Sequence, residues 1–178
     1  GLQAAGFDDQ GWGWPLHQPV FEAVIASQMP LMGGNLPGES IKEVFKTRGQ
    51  SLPEPVGMLL AKTPFDELQR KAMNEEIDQG HCGAMPARMF EGMTAVQRGR
   101  DAAMAELALA HLPSVVLAGN GHAWKHLGVP FVVYKSSPHL HTLSVLFMEW
   151  DDARPSLEKQ AFLAELAQQA DYVWLTPP

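Results

Sequence analysis

Hydrophobic residues recur along the chain at two spacings, one helical and one strand-like, and the two patterns alternate. Over residues 86–111 the apolar positions fall near one face of a 3.6-residue repeat, which predicts one long helix. Short runs rich in β-branched and aromatic residues predict strands over residues 115–118, 131–134, 143–148 and 172–175. Helices that alternate with short apolar strands favour an α/β layer fold with a mostly parallel sheet.

Proline, glycine and capping residues predict the ends of the other elements. Pro15 suits the first turn of a helix, Thr63-Pro-Phe-Asp66 is similar to a capping box with Asp in the Glu position, and Ser156 is a candidate N-cap. Residues 50–62 contain two prolines and are predicted to be a connection. The helices predicted in this way cover residues 15–28, 37–49, 63–80 and 156–169.

Composition excludes several classes of protein. The chain has 178 residues, a length that fits one domain, and 46% of them are hydrophobic against 19% charged, which is typical of a globular protein. Thirteen scattered Lys and Arg residues and a net charge of −7 argue against a nucleic-acid partner. No apolar stretch approaches the ~18 residues that a transmembrane segment requires. Cys82 is the single cysteine, so no intrachain disulfide can form.

The run Val-Val-Leu-Ala-Gly-Asn-Gly-His over residues 115–122 is the first candidate site, because an apolar segment ends in two glycines and delivers a histidine. Gly119 and Gly121 are predicted to let the backbone turn sharply or adopt a positive φ. His122 would then stand at the carboxyl edge of the sheet, where α/β folds place their sites.

A carboxylate on the long helix is predicted to orient that imidazole. Gln97, Asp101 and Met104 are spaced i, i+4, i+7 and share one face, so Asp101 can point toward His122. The alternative is that Asp101 belongs to a solvated stripe with Arg98 and Arg100, whose surface ion pairs contribute well under ~1 kcal/mol.

The second candidate site is the corner His81-Cys82-Gly83 with Met85, directly before the long helix. A thiol there could be a nucleophile with His122 as its base or a soft ligand for iron, or it could be inert. Met85 and Met93 suit an adaptable apolar pocket or a plain core. We expect the corner and His122 to open onto a common cavity. Zinc is a further alternative at the histidine pairs 122/126 and 139/141.

Several strings, taken in order, resemble the ChaN-like family of haem-binding, iron-regulated proteins. The resemblance lies in His81-Cys82-Gly83-Ala-Met85-Pro86, residues 93–97, Arg100-Asp101-Ala-Ala-Met104-Ala105, Ala118-Gly-Asn-Gly-His122 and Gly128-Val-Pro130, and also in residues 12–19 and 171–176. This similarity covers nearly the whole chain.

The resemblance implies a three-layer α/β/α fold with a mostly parallel sheet, of the erythromycin-esterase and ChaN type, and a single domain over residues 1–178. It places the chain in the Tiki superfamily, whose members carry two Gly-x-x-His motifs. Gly119-Asn-Gly-His122 matches the second, and no other Gly-x-x-His occurs in the 178 residues. We therefore expect a beginning to be missing, with its strand and helix.

The function that the resemblance implies is haem binding in bacterial haem or iron uptake, by a protein that is not an enzyme. Such a protein would be a periplasmic or lipid-anchored lipoprotein of the cell envelope, with haem, a second copy of itself and components of the uptake system as partners. The candidate haem contacts are His81, Cys82, Met85, Met93, Asp101, His122 and Tyr134, with His122 as the metal ligand.

Two other functions stay open. One is a metal-dependent hydrolase of the Tiki type, in which His122 is ligand or base and Asp101 orients it. The other is a scaffolding protein that holds a partner through Trp12 and Trp14.

Overall fold

The computed structural model describes residues 7–178, and this part of the chain divides into two compact units, residues 7–34 and 35–178. In the described part of the first unit, an aromatic cluster precedes helix α1 (Gln18–Ala26). The rings of Phe7 and Trp12 lie 4.7 and 5.1 Å from that of Phe21, which is buried. The ring of Trp14 lies 6.1 Å from the same ring, so both tryptophans belong to this cluster. Helix α1 begins at Gln18 rather than Pro15, with Pro19 in its first turn.

The second unit is rich in helices and contains a two-stranded parallel sheet. Its elements are α2 (Gly38–Thr47), α3 (Glu54–Lys62), α4 (Glu67–Gly80), α5 (Phe90–Ala110), α6 (Val129–Ser136), β1 (Val145–Glu149), α7 (Ser156–Leu166) and β2 (Tyr172–Thr176), with short 3₁₀ helices at Ala87–Met89 and Asn120–His122. The crossover from β1 through α7 to β2 agrees with the predicted α/β class. The three-layer arrangement and the single domain stay predictions.

Helix α5 is the central element of the second unit, since α2, α3, α4 and α6 all pack against it. The long helix predicted from the periodicity is therefore confirmed. A side chain at Gly92 would place its Cβ 2.9 Å from the backbone oxygen of Phe45 and 2.8 Å from its ring. The glycine thus lets α2 approach α5 closely. The buried residues of α5 are Gly92, Val96, Gly99, Asp101, Ala102, Met104 and Ala105.

The sheet has one covered and one exposed face, because side chains alternate along each strand. Leu146 is fully buried and packs with Leu166 and Ala170. On the other face, which we call the outer face, Phe147 and Trp174 are 59% and 64% exposed. The parallel register pairs Val145 with Tyr172 and Glu149 with Thr176.

An acidic side chain joins the starts of the two strands. Asp171 directly precedes β2, and its carboxylate accepts hydrogen bonds from the backbone N–H of Ser144 at 2.8 Å and from Nζ of Lys125 at 2.9 Å. Because Ser144 directly precedes β1, the carboxylate fixes both strand ends to the same point.

Three predicted elements are wrong. Residues 50–62 are not only a connection, because Pro53 is the N-cap of α3 and Pro55 lies in its first turn, where a missing N–H costs nothing. Residues 115–118 form no strand. Residues 131–134 belong to α6, where Pro130 suits the first turn and the side chains of residues 131–133 are buried.

The helix ends also correct some of the predicted caps. The capping box of α4 is formed by Asp66 and Gln69, one turn after the predicted start, and the helix closes at Gly80 as predicted. Ser156 lies inside α7 and makes no capping bond, because Pro155 is the N-cap. Helix α2 ends at Thr47, and Arg48 takes the left-handed conformation that ends it. None of the helices over residues 7–178 has the length and hydrophobicity that crossing a bilayer takes.

Candidate functional site

His122 lies in a 3₁₀ turn and not at the end of a strand. Its backbone N–H donates to the carbonyl of Gly119 at 2.9 Å, and that of Ala123 donates to the carbonyl of Asn120 at 2.9 Å. Of the two predicted alternatives, the sharp turn is present and a positive φ is not: Gly119 has φ −61°, and Gly121 is not among the residues with positive φ. The 3₁₀ hydrogen bonds, not left-handed glycines, therefore turn the chain here.

The glycine that this turn requires is Gly128, which directly precedes α6. A Cβ built on Gly128 would lie 2.2 Å from the carbonyl oxygen of His122 and 2.6 Å from its carbonyl carbon. The N–H of Gly128 donates to the carbonyl of Trp124 at 2.8 Å, which closes the loop between the two residues. Only a residue without a side chain fits against the backbone of His122.

The predicted contact between Asp101 and His122 is present. Nδ1 of His122 lies 2.6 Å from Oδ1 of Asp101, and the side chains are 11% and 1% exposed. The amide nitrogen of Gln97, one helical turn earlier on α5, lies 3.1 Å from the same Nδ1. The alternative of a solvated stripe is wrong for Asp101, because this carboxylate is inside the protein.

Burial raises the pKa of Asp101 to about 6, although the hydrogen bond and charge of His122 and the charges of Arg98 and Arg100 act in the opposite direction. At neutral pH the carboxylate is therefore mainly ionised and only accepts hydrogen bonds. Nδ1 of His122 then carries the ring proton and donates it to Oδ1. Gln97 can share that N–H if its amide is turned over, since amide oxygen and nitrogen are assigned from such networks.

The two arginines near Asp101 are engaged elsewhere. The guanidinium of Arg98 donates to the carbonyl of Thr63 and lies 4.0 Å above the ring of Phe65, and burial lowers its pKa. Nε of Arg100 donates to the side-chain oxygen of Asn35 at 2.9 Å. Among residues 7–178, His122 is thus the direct partner of the carboxylate, whose Oδ2 is buried with no hydrogen bond.

The other ring nitrogen of His122 is free to meet a ligand. Nε2 has no hydrogen-bond partner within the described part of the chain, and it is not among the buried polar atoms there. The arrangement is an imidazole that is held at Nδ1 and has no hydrogen bond at Nε2. Such an imidazole can ligate a metal or accept a proton.

Exposed apolar side chains lie on both segments that adjoin His122. Nδ2 of Asn120 donates to the carbonyl of Phe147 at 2.9 Å, so the turn that carries His122 lies beside β1. Phe147 and Trp174 have ring centroids 6.5 Å apart on the outer face. Val115 and Leu117, on the segment that leads to His122, are 85% and 44% exposed.

A family model described as "Haem-binding uptake, Tiki superfamily, ChaN" matches residues 2–133 of the 178. The chain belongs to this ChaN family. The resemblance stated from the sequence motifs is therefore confirmed. No curated protein and no solved structure gives a significant match.

The match to the ChaN family includes Asp101, His122 and the corner at residues 81–85, and it ends one residue before Tyr134. In this ChaN-family chain Tyr134 lies on α6 and is 57% exposed. No hydrogen bond of its hydroxyl is present within residues 7–178. Its predicted role as a haem contact stays a prediction.

The residues of the corner before α5 differ in exposure, some lying on the surface and others against the core. His81 and Cys82 are exposed, and Nδ1 of His81 contacts the carbonyl of Ile77 at 2.6 Å, so that ring lies back against α4. Cys82 has φ 58°, the left-handed conformation that follows the end of α4. Met85 and Met93 are half-buried against the main core, which favours the core interpretation for both.

The expected common cavity of the corner and His122 stays a prediction. Of two surface cavities, one of about 500 Å³ lies between α2, α3 and α5 and one of about 360 Å³ lies along α4, and none of the seven candidate residues lines either. Within the described part of the chain, no three His, Cys, Asp or Glu side chains cluster so that they could hold a metal ion. The candidate site is therefore the Asp101–His122 pair with its neighbours.

Two residues of the site were missed by sequence reasoning. The sequence assigned no role to Asn120, and its contact with Phe147 has no signal in the sequence. Gly128 could have been found, because a glycine directly before a Val-Pro helix start frequently marks a close approach of the backbone.

Proposed function

We propose that this protein binds haem and that Nε2 of His122 supplies an axial ligand to the iron. Membership of the ChaN family supports haem as the bound molecule, since the family's description names haem-binding uptake. The observation that carries the proposal is the geometry of His122, whose Nδ1 is held by a buried carboxylate while Nε2 is open. Histidine held in this way is a common haem ligand.

The donor set of the structure fits haem in two respects. One imidazole, that of His122, would hold the iron, and haem would supply a one-electron redox centre. The porphyrin needs apolar surface, which Phe147, Val115 and Leu117 offer on the segments that adjoin His122. Residues of this chain would hold the ring and orient the imidazole.

Titration with ferric protoporphyrin IX tests the proposal. We expect saturable binding with a shifted Soret band for the wild-type protein, and an affinity at least about tenfold lower for His122→Ala. His139→Ala is the matched control, because this histidine is exposed in a loop of the same unit. Equal binding by His122→Ala and the wild type would remove His122 as the ligand, and no saturable binding by the wild type would remove the function.

We also propose that Tyr134, which does not belong to the Asp101–His122 pair, contacts haem. The exposure of its phenol on α6 supports this role, because an exposed phenol can reach a haem that is shared with a second copy of the chain. Tyr134→Phe should then weaken haem binding and haem-dependent dimer formation, measured by light scattering at several protein concentrations. An unchanged mass and affinity would contradict this role and the proposed homodimer.

The biological context is a further part of the proposal. We propose that the protein acts in haem or iron uptake at the bacterial cell envelope, as a periplasmic or lipid-anchored protein that passes haem to other components of the uptake system. The family description, which names haem-binding uptake, supports the uptake role. Fractionation of cells that express the gene from its own start tests the location. Recovery in the cytosolic fraction alone would exclude it.

A metal-dependent hydrolase is the second candidate function, favoured by the carboxylate–imidazole pair, which is also the arrangement of a general base. Asp101 and His122 would need further metal ligands, since no cluster of three is present in residues 7–178. Metal analysis and a hydrolysis assay of the wild type and His122→Ala test it. Equal metal content and no activity in either protein would exclude it.

A further inference from the structure

The larger of the two surface cavities, of about 500 Å³, lies between α2, α3 and α5 and has the size of a small-molecule site. One face of α5 forms its long wall, because the lining residues of this helix are spaced i, i+3, i+4, i+7. They are Glu91, Thr94, Ala95 and Arg98. Two helical turns span about 10 Å, so the cavity is long enough for an extended chain of several carbons.

The floor of this cavity is apolar. Leu52, Leu60 and Ala95 line it and are only partly buried against the main core, so part of each side chain still meets solvent. Gly57 on α3 lines the cavity as well, and a Cβ built there would meet nothing within 4 Å. The space beside this glycine is therefore open. An apolar ligand segment in the cavity would remove the surface of the floor from water, which favours binding.

Arg98 supplies a positive charge near the carboxyl end of α3. Within residues 7–178 its hydrogen bonds all run from Nη2 to Thr63, so the donors of Nε and Nη1 have no protein partner there. None of the ion pairs in the same residues includes Arg98. Burial lowers the pKa of this guanidinium, although the charge of Asp101 acts in the opposite direction. The half-buried charge thus lacks a direct counter-ion.

The charges that line the cavity sum to one positive. Arg48, on the side of α2, is paired with Glu91 at 2.9 Å, so these two charges cancel. Arg98 is the remaining ionisable group among the described residues that line the cavity, in a chain whose net charge is −7. A ligand that complements this lining carries one negative charge at one end and an apolar tail.

We infer that this cavity binds a small monocarboxylate with an apolar tail, such as a medium-chain fatty acid. The guanidinium of Arg98 holds the carboxylate, and Leu52, Leu60 and Ala95 contact the tail. The planar fork of an arginine matches a carboxylate and can donate two parallel hydrogen bonds to it. None of the seven candidate haem contacts lines the cavity, so this inference does not depend on the proposed function.

Titration of the wild type with octanoate, followed by NMR signals of the amides of α3 and α5, tests the inference. We expect saturable binding of octanoate. Butyrate should bind at least about tenfold more weakly, since each methylene that is removed from water contributes up to about fourfold in affinity. The uncharged 1-octanol should bind at least about tenfold more weakly than octanoate, because it forms no hydrogen bonds between charged groups. Equal affinity for octanoate and 1-octanol would overturn the inference.

Arg98→Gln should weaken octanoate binding at least about tenfold and leave the affinity for 1-octanol unchanged. Arg70→Gln is the matched control, since this arginine also donates to a backbone carbonyl, that of Phe65, and does not line the cavity. Octanoate affinities of the two variants that agree would contradict the role of Arg98.

Gly57→Leu keeps the inference testable if Arg98→Gln does not fold. Leucine favours a helix, and its side chain would occupy part of the open space beside α3, so this variant should fold and lose octanoate binding. Gly38→Leu is its control, because this helical glycine also meets nothing within 4 Å and lies outside the cavity. The inference is overturned if both variants bind octanoate equally, or if the wild type shows no saturable binding.

Discussion

Substitution of Gly128 by alanine should disrupt the turn that carries His122. The added Cβ would lie 2.2 Å from the carbonyl oxygen of His122, whereas Cβ contacts below 3.0 Å essentially do not occur. The obstructing atoms belong to the backbone, so no side-chain rotation can relieve the contact, and the carbonyl must move by about 0.8 Å. That displacement moves the backbone of His122, whose Nδ1 lies 2.6 Å from Oδ1 of Asp101.

The expected cost has two parts. Overpacking of this kind costs about 1–3 kcal/mol, and loss of the partner of a buried polar group adds about 1–3 kcal/mol if the bond between His122 and Asp101 breaks. The free energy of unfolding of Gly128→Ala should therefore fall by at least about 2 kcal/mol. Urea denaturation followed by circular dichroism measures it, and the NMR signal of the His122 ring should shift.

Gly119→Ala is the control, because this glycine lies in the same loop, has φ −61° and meets nothing within 4 Å. Its stability should stay within about 0.5 kcal/mol of the wild type, as is usual for surface substitutions without a special contact. If Gly128→Ala and Gly119→Ala unfold at the same urea concentration, the close packing of Gly128 on His122 is refuted.

Two further predictions concern residues away from the site. Gly57→Ala in α3 should raise the free energy of unfolding by about 0.5–1 kcal/mol, since the position is helical and a Cβ there meets nothing within 4 Å. Gly92→Ala should lower the free energy of unfolding by about 1–3 kcal/mol, because its Cβ meets the backbone of α2. Urea denaturation of both variants checks the pair, and equal effects would contradict the packing of α2 on α5. The hydrogen bond from Lys125, with a smaller effect of the Ser144 N–H, lowers the pKa of Asp171. The stabilisation from this carboxylate should therefore be complete above its unfolded pKa of about 3.9 and be lost as the pH falls through its lower folded pKa. Unfolding measured between pH 7 and pH 2 should show the stability difference between wild type and Asp171→Asn shrinking on acidification, and a constant difference would contradict the reasoning.

The sequence offered the contact of Asp101 with His122 as one of two alternatives, because helical spacing puts Asp101 on one face with Gln97 and Met104. In the structure the buried residues of α5 include Asp101 and Met104, so this face is turned inward. The loop after the helix then returns His122 to that face. The same reasoning could not give the depth of burial or the unpaired Oδ2, since both depend on how neighbouring helices cover α5.

Two predicted strands failed because strand formation depends on partners rather than on residue type. Residues 115–117, two valines and a leucine, pair with no strand in the described part of the chain. Residues 131–133 have equally high strand propensity, but Pro130 starts a helix and the side chains are buried there. Strand propensities span only about 1 kcal/mol, which tertiary packing readily outweighs. Met85 and Met93 pack against the core, which is the second of the two alternatives that the sequence left open for them.

The contact of Asn120 with β1 has a consequence for self-association. The carbonyl of Ser144 accepts a hydrogen bond from the N–H of Tyr172, and the N–H of Trp150 donates to the carbonyl of Thr176. The backbone N–H and C=O groups of even-numbered residues along β1 therefore point toward β2. Those of odd-numbered residues, including the carbonyl of Phe147, point to the opposite edge. Unpaired edges template the addition of foreign strands and aggregation. The amide of Asn120 occupies that carbonyl and blocks strand addition at the midpoint of β1. One polar side chain thereby protects an edge that is flanked by exposed aromatic and aliphatic residues.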